Sequence, residues 1–249
     1  MKLSLWRTGI NRMSDKLQDA HQSLEDKNAN LRTFIANISH ELKTPLSLIR
    51  GYASGIKDGL DDGTYADVIR QQSEEMADMV ERLLELSRLQ VEPYQFGPID
   101  FRQLLMETLD AYRSAFRQQE LVLEVDDRLL KETWVRADQR KLESVFHNFI
   151  MNAMKYTTDN RISLALETKN DSVYFRIANG ADTEDEAKWE QVWEPFNVME
   201  SSRSKKFSGT GLGLSIARTI LQNHHASFGL LAREGVVEFY FSLPLLRHG

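Results

Sequence analysis

The sequence predicts an α plus α/β chain: a dimeric helical hairpin, closing with its copy into a four-helix bundle, followed by an α/β sandwich. Three observations predict it. Apolar residues recur in a seven-residue pattern from Ile10 to Ile38. Two prolines and a glycine break the chain between Glu92 and Pro98. Beyond that break, amphipathic helical stretches are interspersed with alternating, strand-like runs. The 249 residues leave room for one large domain or two smaller ones, and 41% apolar residues suffice for a sizeable core.

In the first helix Ile10, Met13, Leu17, Ala20, Leu24, Leu31, Phe34 and Ile38 take successive a and d positions, with Lys27 the one break. Polar residues elsewhere make this a dimerising helix rather than a core helix. Neither Gly nor Pro occurs between Asn11 and Lys43. Pro45 cannot donate to the carbonyl of Glu41, so a bend is expected just before it. The helix stops in GIKDGLDDGTY, and a second runs from about Tyr65 to Gln90 on a narrow stripe that includes Met76, Met79, Leu83 and Leu86. Each helix has one narrow apolar stripe, so a lone hairpin would leave apolar surface wet, and pairing two hairpins covers it. The expected division is a coiled-coil helix over 1–30, a dimerising helical hairpin over 31–93, and an α/β domain over 94–249.

After the break, 100–119 reads as helix, and 121–125 and 133–137 as strands. Asp138 is the expected N-cap of a helix through Tyr156. Residues 162–168 and 173–178 alternate as strands around a turn at 169–172, and 179–208 is polar and irregular. A glycine-rich start at Gly209 leads into a helix to Gln222, and 227–232 and 236–243 close as a hairpin around Glu234-Gly235. The expected result is a mixed sheet covered on one face by helices.

Composition excludes some functions. With 31 basic and 37 acidic residues the net charge is −6, which argues against nucleic-acid partners. The absence of cysteine excludes disulfides, thiolate nucleophiles and zinc–thiolate sites. No stretch of 18 apolar residues spans a bilayer. The opening MKLSLWRTGINRM reads either as a start with no export signal or as a juxtamembrane remnant carrying Leu3, Leu5 and Trp6.

Three groups of residues can carry chemistry. In SHELKTP, His40 sits at an outward c position and Glu41 follows at once. A carboxylate that accepts the imidazole N–H leaves the other ring nitrogen as a nucleophile. Thr44 lies one turn on, where its hydroxyl can orient a water. In GTGLGL, Gly209, Gly211 and Gly213 alternate before a helix, so backbone N–H groups can approach phosphate closely. No GKS or GKT follows, so this is not a Walker loop. In HNFIMNAMKYT, Asn148, Asn152 and Lys155 share a helix face. The Asn152 amide oxygen is a suitable hard ligand for Mg²⁺, and Tyr156 offers a ring to a base.

SHELKTP, NFIMNAMKYT, WEPF and GTGLGL, in that order and at roughly that spacing, resemble the bacterial sensor histidine kinases of two-component systems. The likeness covers about Leu31 to Leu243, with the phosphate-regulon and vancomycin-resistance sensors the nearest in flavour. The resemblance implies a Bergerat-type ATP-binding domain that uses ATP and Mg²⁺. His40 would take the γ-phosphoryl group and pass it to an aspartate of a cognate response regulator. Glu41 would act as acid/base partner, and Thr44 would serve response-regulator phosphatase activity. Asn152 would hold the metal. The nucleotide would be lined by Asn148, Lys155, Tyr156, Asn179, Phe196 and Arg203, with Gly209, Thr210, Gly211, Leu212 and Gly213 at its phosphates. It further implies a homodimer on the cytoplasmic side of a membrane-anchored parent. The alternative is a degenerate kinase acting mainly as a phosphatase or as a nucleotide-gated scaffold.

The chain departs from the family pattern in four places. Asn179 stands where an aspartate accepts from the adenine amino group. Ala181 and Thr183 replace two glycines after it. Val198 replaces a lid arginine, leaving Arg203, Lys205 or Lys206 to reach the γ-phosphate. His225-Ala226 stands where relatives carry glycines. Trp189 and Trp193 are expected to pack beneath the lid rather than stack on a ligand.

Overall fold

The computed structural model describes residues 2–127, 132–183, 189, 191–197 and 210–246. The chain divides into two compact units, Met1–Ala77 and Asp78–Gly249. The first contains helix α1 (Lys2–Lys57) and the start of α2 (Tyr65–Val91). α1 runs through Pro45 without ending. The connection is built by side-chain caps. Asp61 Oδ1 accepts from the N–H groups of Gly63 and Tyr65, and Asp62 Oδ1 accepts from the N–H and hydroxyl of Thr64. Those Thr64 bonds hold the Asp62 carboxyl below the usual range. The Tyr65 ring lies edge-on to Tyr52 and over Gly55, where a Cβ would come within 2.5 Å of it. Gly55 thus lets α2 start close against the end of α1. Along the heptad seam Leu17, Leu24 and Leu31 stay more than half exposed.

The second unit takes the rest of α2, whose Met79, Leu86 and Leu89 are buried. There follow β1 (Gly97–Asp100), α3 (Phe101–Gln118), β2 (Val122–Asp126), β3 (Trp134–Ala137), α4 (Gln139–Tyr156), β4 (Arg161–Lys169), β5 (Ser172–Gly180), α5 (Gly213–Asn223), β6 (Ser227–Arg233) and β7 (Val236–Pro244). Asp100 and Asp138 cap α3 and α4 by accepting from Gln103 and Lys141 N–H groups. The main sheet has the order β2-β4-β5-β7-β6, with β2 parallel to β4 and the other pairs antiparallel. The β4–β5 and β6–β7 hairpins turn on left-handed pairs, Asn170-Asp171 and Glu234-Gly235. Ile162, Leu164 and Leu166 on β4 alternate inward, and Phe175 pairs with Phe241 across β5 and β7. These rings meet Phe146 and Phe149 from α4 and Phe101 from α3, forming the aromatic core under the helices.

Two expectations need correction. The break over 92–98 is not without structure: Gly97–Asp100, where no strand is expected, pairs antiparallel with β3 as a separate two-stranded sheet. Pro98 is tolerated there because a two-stranded ribbon has only edges. Nor does the irregular stretch begin at Asn179, since β5 continues through Gly180 and pairs Asn179 with both Ile162 and Val237. The expectation that Trp193 packs rather than stacks on a ligand agrees with its edge-on contacts to Phe149, Phe228 and Phe239.

The segment before β1 is tied to the core by a buried histidine. At the end of α5, His224 Nδ1 donates to Ile220 O at 2.8 Å, and its Nε2 accepts the Asp138 N–H at 3.0 Å. This pattern requires the neutral ring. Tyr94 and Phe96 pack on that ring, and Asp138 also accepts from the Gln95 N–H. Burial pushes the His224 pKa below its ordinary 6.5. The unfolded chain therefore takes up this proton first. The contribution of His224 to stability is full above about pH 6.5 and is lost as pH falls toward the folded-state value. Calorimetry is expected to find the melting temperature of the wild type falling more steeply than that of His224→Gln between about pH 7 and pH 5. Parallel slopes would contradict the neutral-ring assignment. The next residue, His225, holds a left-handed φ of 53° and donates to Gln222 O, a helix-ending position that favours glycine.

Candidate active site

In the first unit His40 stands on the open side of α1, its side chain 80% exposed. Its Nδ1 lies 3.8 Å from Glu41 Oε1, close enough for charge to matter but beyond a hydrogen bond. The Thr44 hydroxyl makes a long 3.4 Å bond back to the His40 carbonyl and is exposed. The three residues predicted from SHELKTP therefore form an accessible surface strip.

In the second unit the NFIMNAMKYT residues lie on α4. Asn148 is buried, and its Nδ2 donates to Ser144 O at 2.9 Å. Asn152 is half-buried and makes no side-chain hydrogen bond to any described residue, which leaves its amide oxygen available. Lys155 Nζ stands 5.1 Å over the Tyr156 ring. Burial pushes the Tyr156 phenol pKa up, so it stays a neutral hydroxyl.

The glycine loop closes on this helix. At Gly213, the first residue of α5, a Cβ would lie 2.6 Å from Asn148 Oδ1. At Gly211, which has a φ of +65°, a Cβ would lie 2.7 Å from the Phe196 Cα. Phe196, itself left-handed at 64°, donates its N–H to Gly211 O. Glycine is thus required at 211 by both conformation and space. Unlike α3 and α4, α5 has no side-chain cap: Leu212 fills that position, and its N–H donates only a long 3.4 Å bond to Thr210 Oγ1. The first N–H groups of α5 are left to meet an anion. Glu194 of the WEPF segment pairs with Arg218 on α5 at 2.6 Å, holding Phe196 beside the loop.

Asn179 is buried at the end of β5, with its Nδ2 donating to Gly180 O. Gly180 has no room for a side chain, because Thr158 and Asp159 press against it within 2.8 Å of a Cβ position. The Arg161 N–H, with the Thr157 hydroxyl, holds the Asp159 carboxyl below the usual range. The following residues are tied to the β6–β7 turn by bonds between the Ala181 N–H and Gly235 O, and between the Gly235 N–H and Thr183 Oγ1.

The structure therefore brings Asn148, Phe196, Gly211, Leu212 and Gly213 together, and places Asn152, Lys155 and Tyr156 farther along the same helix as Asn148. Arg203 and Gly209, with Val198, Lys205 and Lys206, lie outside the described residues. The residues present fit Mg²⁺ and a phosphate chain: one free amide oxygen on α4, a side-chain-free glycine loop, and an uncapped helix start. Among the described residues no cluster of three His, Cys, Asp or Glu side chains offers a different metal site. Sequence reasoning missed Arg82, which reaches Asn148 Oδ1 from α2. The two are 66 positions apart, so no local pattern marks the contact.

Two family models match the chain. Residues 30–92 match the His Kinase A (phospho-acceptor) domain. Residues 137–247 match the histidine kinase-, DNA gyrase B- and HSP90-like ATPase. The chain belongs to the sensor histidine kinases. Its relatives include the sensor protein kinase WalK of Staphylococcus haemolyticus, 28% identical over 226 residues, and that of Staphylococcus saprophyticus, 30% identical over 227. In each case the match takes in 86% of this chain and 36% of the relative, so the chain spans about a third of their length. Among solved structures, the Acinetobacter baumannii histidine kinase AdeS superposes with a TM-score of 0.62 at 24% identity, over 84% of this chain and 98% of that one. The histidine kinase ThkA, in complex with the response regulator protein TrrA, gives 0.70 at 24%, over 89% and 64%. These two likenesses support the fold. The helical hairpin followed by a mixed-sheet ATPase domain is the architecture the sequence predicts.

Proposed function

We propose that this kinase transfers the γ-phosphoryl group of ATP to His40 and passes it on to an aspartate of a response regulator. One observation carries the reading: the same chain holds an exposed histidine followed by a carboxylate, and a glycine loop closed on an asparagine-bearing helix. In the first step the His40 Nε2 lone pair forms the N–P bond while the bond from phosphorus to the ADP oxygen breaks. The Nδ1 proton moves toward Glu41, which faces that nitrogen. Phosphoryl transfer needs positioning and charge neutralisation more than covalent help. Backbone N–H groups at Gly211–Gly213 hold the phosphates, Asn179 and Tyr156 receive the adenine end, and Asn152 holds Mg²⁺. The metal, when bound, offsets charge on the phosphate oxygens. Thr44, exposed one turn from His40, supports the reverse activity by orienting a water toward the phosphorylated regulator.

The exposed Leu17, Leu24 and Leu31 support a homodimer built along α1. ThkA was solved with a response regulator protein, which supports a partner of that class here. No helix among the described residues is long and apolar enough to cross a membrane, and the cytoplasmic face of a membrane-anchored parent remains part of the proposal. The test is transfer. Label loaded onto the purified chain from γ-labelled ATP is expected to appear on a receiver domain and to vanish from its Asp→Ala variant. Label that stays on the kinase with every receiver offered would defeat the relay.

A further inference from the structure

We propose that Arg82, on α2, is a ligand of the nucleotide's terminal phosphates; this rests on the reading that ATP occupies the glycine loop. The Asn148 Nδ2 donates to the Ser144 carbonyl, which only a donor can satisfy, so the amide orientation is fixed and the oxygen faces Gly213. As it stands, Asn148 presents an acceptor to a phosphate chain that is itself all acceptors. Arg82 reverses that. Its Nη1 donates to Asn148 Oδ1 at 3.4 Å and comes within 3.7 Å of the Cβ position at Gly213, the first residue of α5.

The guanidinium is aimed by Asp78, one turn back on α2, which accepts from its Nε at 2.8 Å. Two contacts leave the rest of a five-donor fork unused among the described residues. Arg82 borders a cavity of about 820 Å³ between α2, α3 and α4, which gives the fork room to turn. It also answers a gap in the sequence: the lid position where a cation is expected holds Val198. A fork held on Asn148 beside the uncapped start of α5 supplies positive charge where the triphosphate ends.

The experiment compares ATP, ADP and AMP binding, by displacement of a fluorescent adenine nucleotide with Mg²⁺ present, in the wild-type chain, Arg82→Ala, Arg82→Lys and Glu85→Ala. Glu85 bonds Ser144 at 2.7 Å, so its loss loosens α2 from α4 without touching Arg82. Arg82→Ala is expected to weaken ATP about tenfold, ADP less and AMP not at all. Arg82→Lys should recover part of the loss, and Glu85→Ala should match the wild type. Equal weakening of all three nucleotides, a matching loss in Glu85→Ala, unchanged ATP affinity, or tighter ATP binding would each overturn the assignment. The last would make the contact a closure of the site. A wild-type chain that binds none of the three would instead remove the nucleotide reading itself, and the Arg82 role with it.

Discussion

His40→Gln is expected to abolish incorporation of ³²P from γ-labelled ATP while leaving nucleotide affinity unchanged. The size of the effect follows from chemistry: glutamine has no lone pair on a ring nitrogen to form the N–P bond, so no slower route remains at that position. Affinity should survive because His40 belongs to the first compact unit, whereas the glycine loop, α4 and the end of β5 belong to the second. The side chain is 80% exposed and makes no hydrogen bond to Glu41 at 3.8 Å, so its replacement disturbs little packing. Labelling that persists in the variant would move the phosphosite elsewhere. Lost nucleotide binding would mean that the two units depend on each other for folding.

The second large effect is expected at Asn152. Its side chain has no hydrogen-bonding partner among the described residues, and it lies one turn beyond Asn148 on α4. Asn152→Ala removes a hard oxygen ligand without leaving a buried group unsatisfied, so the fold should hold. Titration with a fluorescent ATP analogue should find affinity in Mg²⁺ reduced by about tenfold or more, and little change in EDTA. An equal loss with and without the metal would assign Asn152 to the nucleotide rather than to Mg²⁺.

Much of this was legible in the sequence because its signals are local. The seven-residue repeat, the turn residues of GIKDGLDDGTY and the cap Asp138 act within a few residues of themselves, and the helices they bound fall close to the expected limits. The glycines of GTGLGL carry their own reason in the left-handed φ of Gly211 and the missing space at Gly213. What escaped is non-local. β1 exists because β3 pairs with it across more than thirty residues, and Pro98 makes it read as part of the break between domains. Asn179 looked like the start of a polar loop because β5 runs past its apolar stretch, held by neighbours on both sides. Arg82 could not be found from α2 alone, where it reads as the i+4 partner of Asp78. The glycine replacements tell a similar story: His225 takes the left-handed turn anyway, whereas Ala181 and Thr183 are secured by bonds to Gly235 and need no positive φ.

The central claim is that the chain stores phosphate on one imidazole. Incubation of the wild-type chain with Mg²⁺ and γ-labelled ATP, followed by tests of chemical stability and peptide mapping, addresses it most directly. The account predicts an acid-labile, base-stable label confined to the tryptic peptide over residues 33–43, which contains His40. An acid-stable label, a label in any other peptide, or none at all would contradict it.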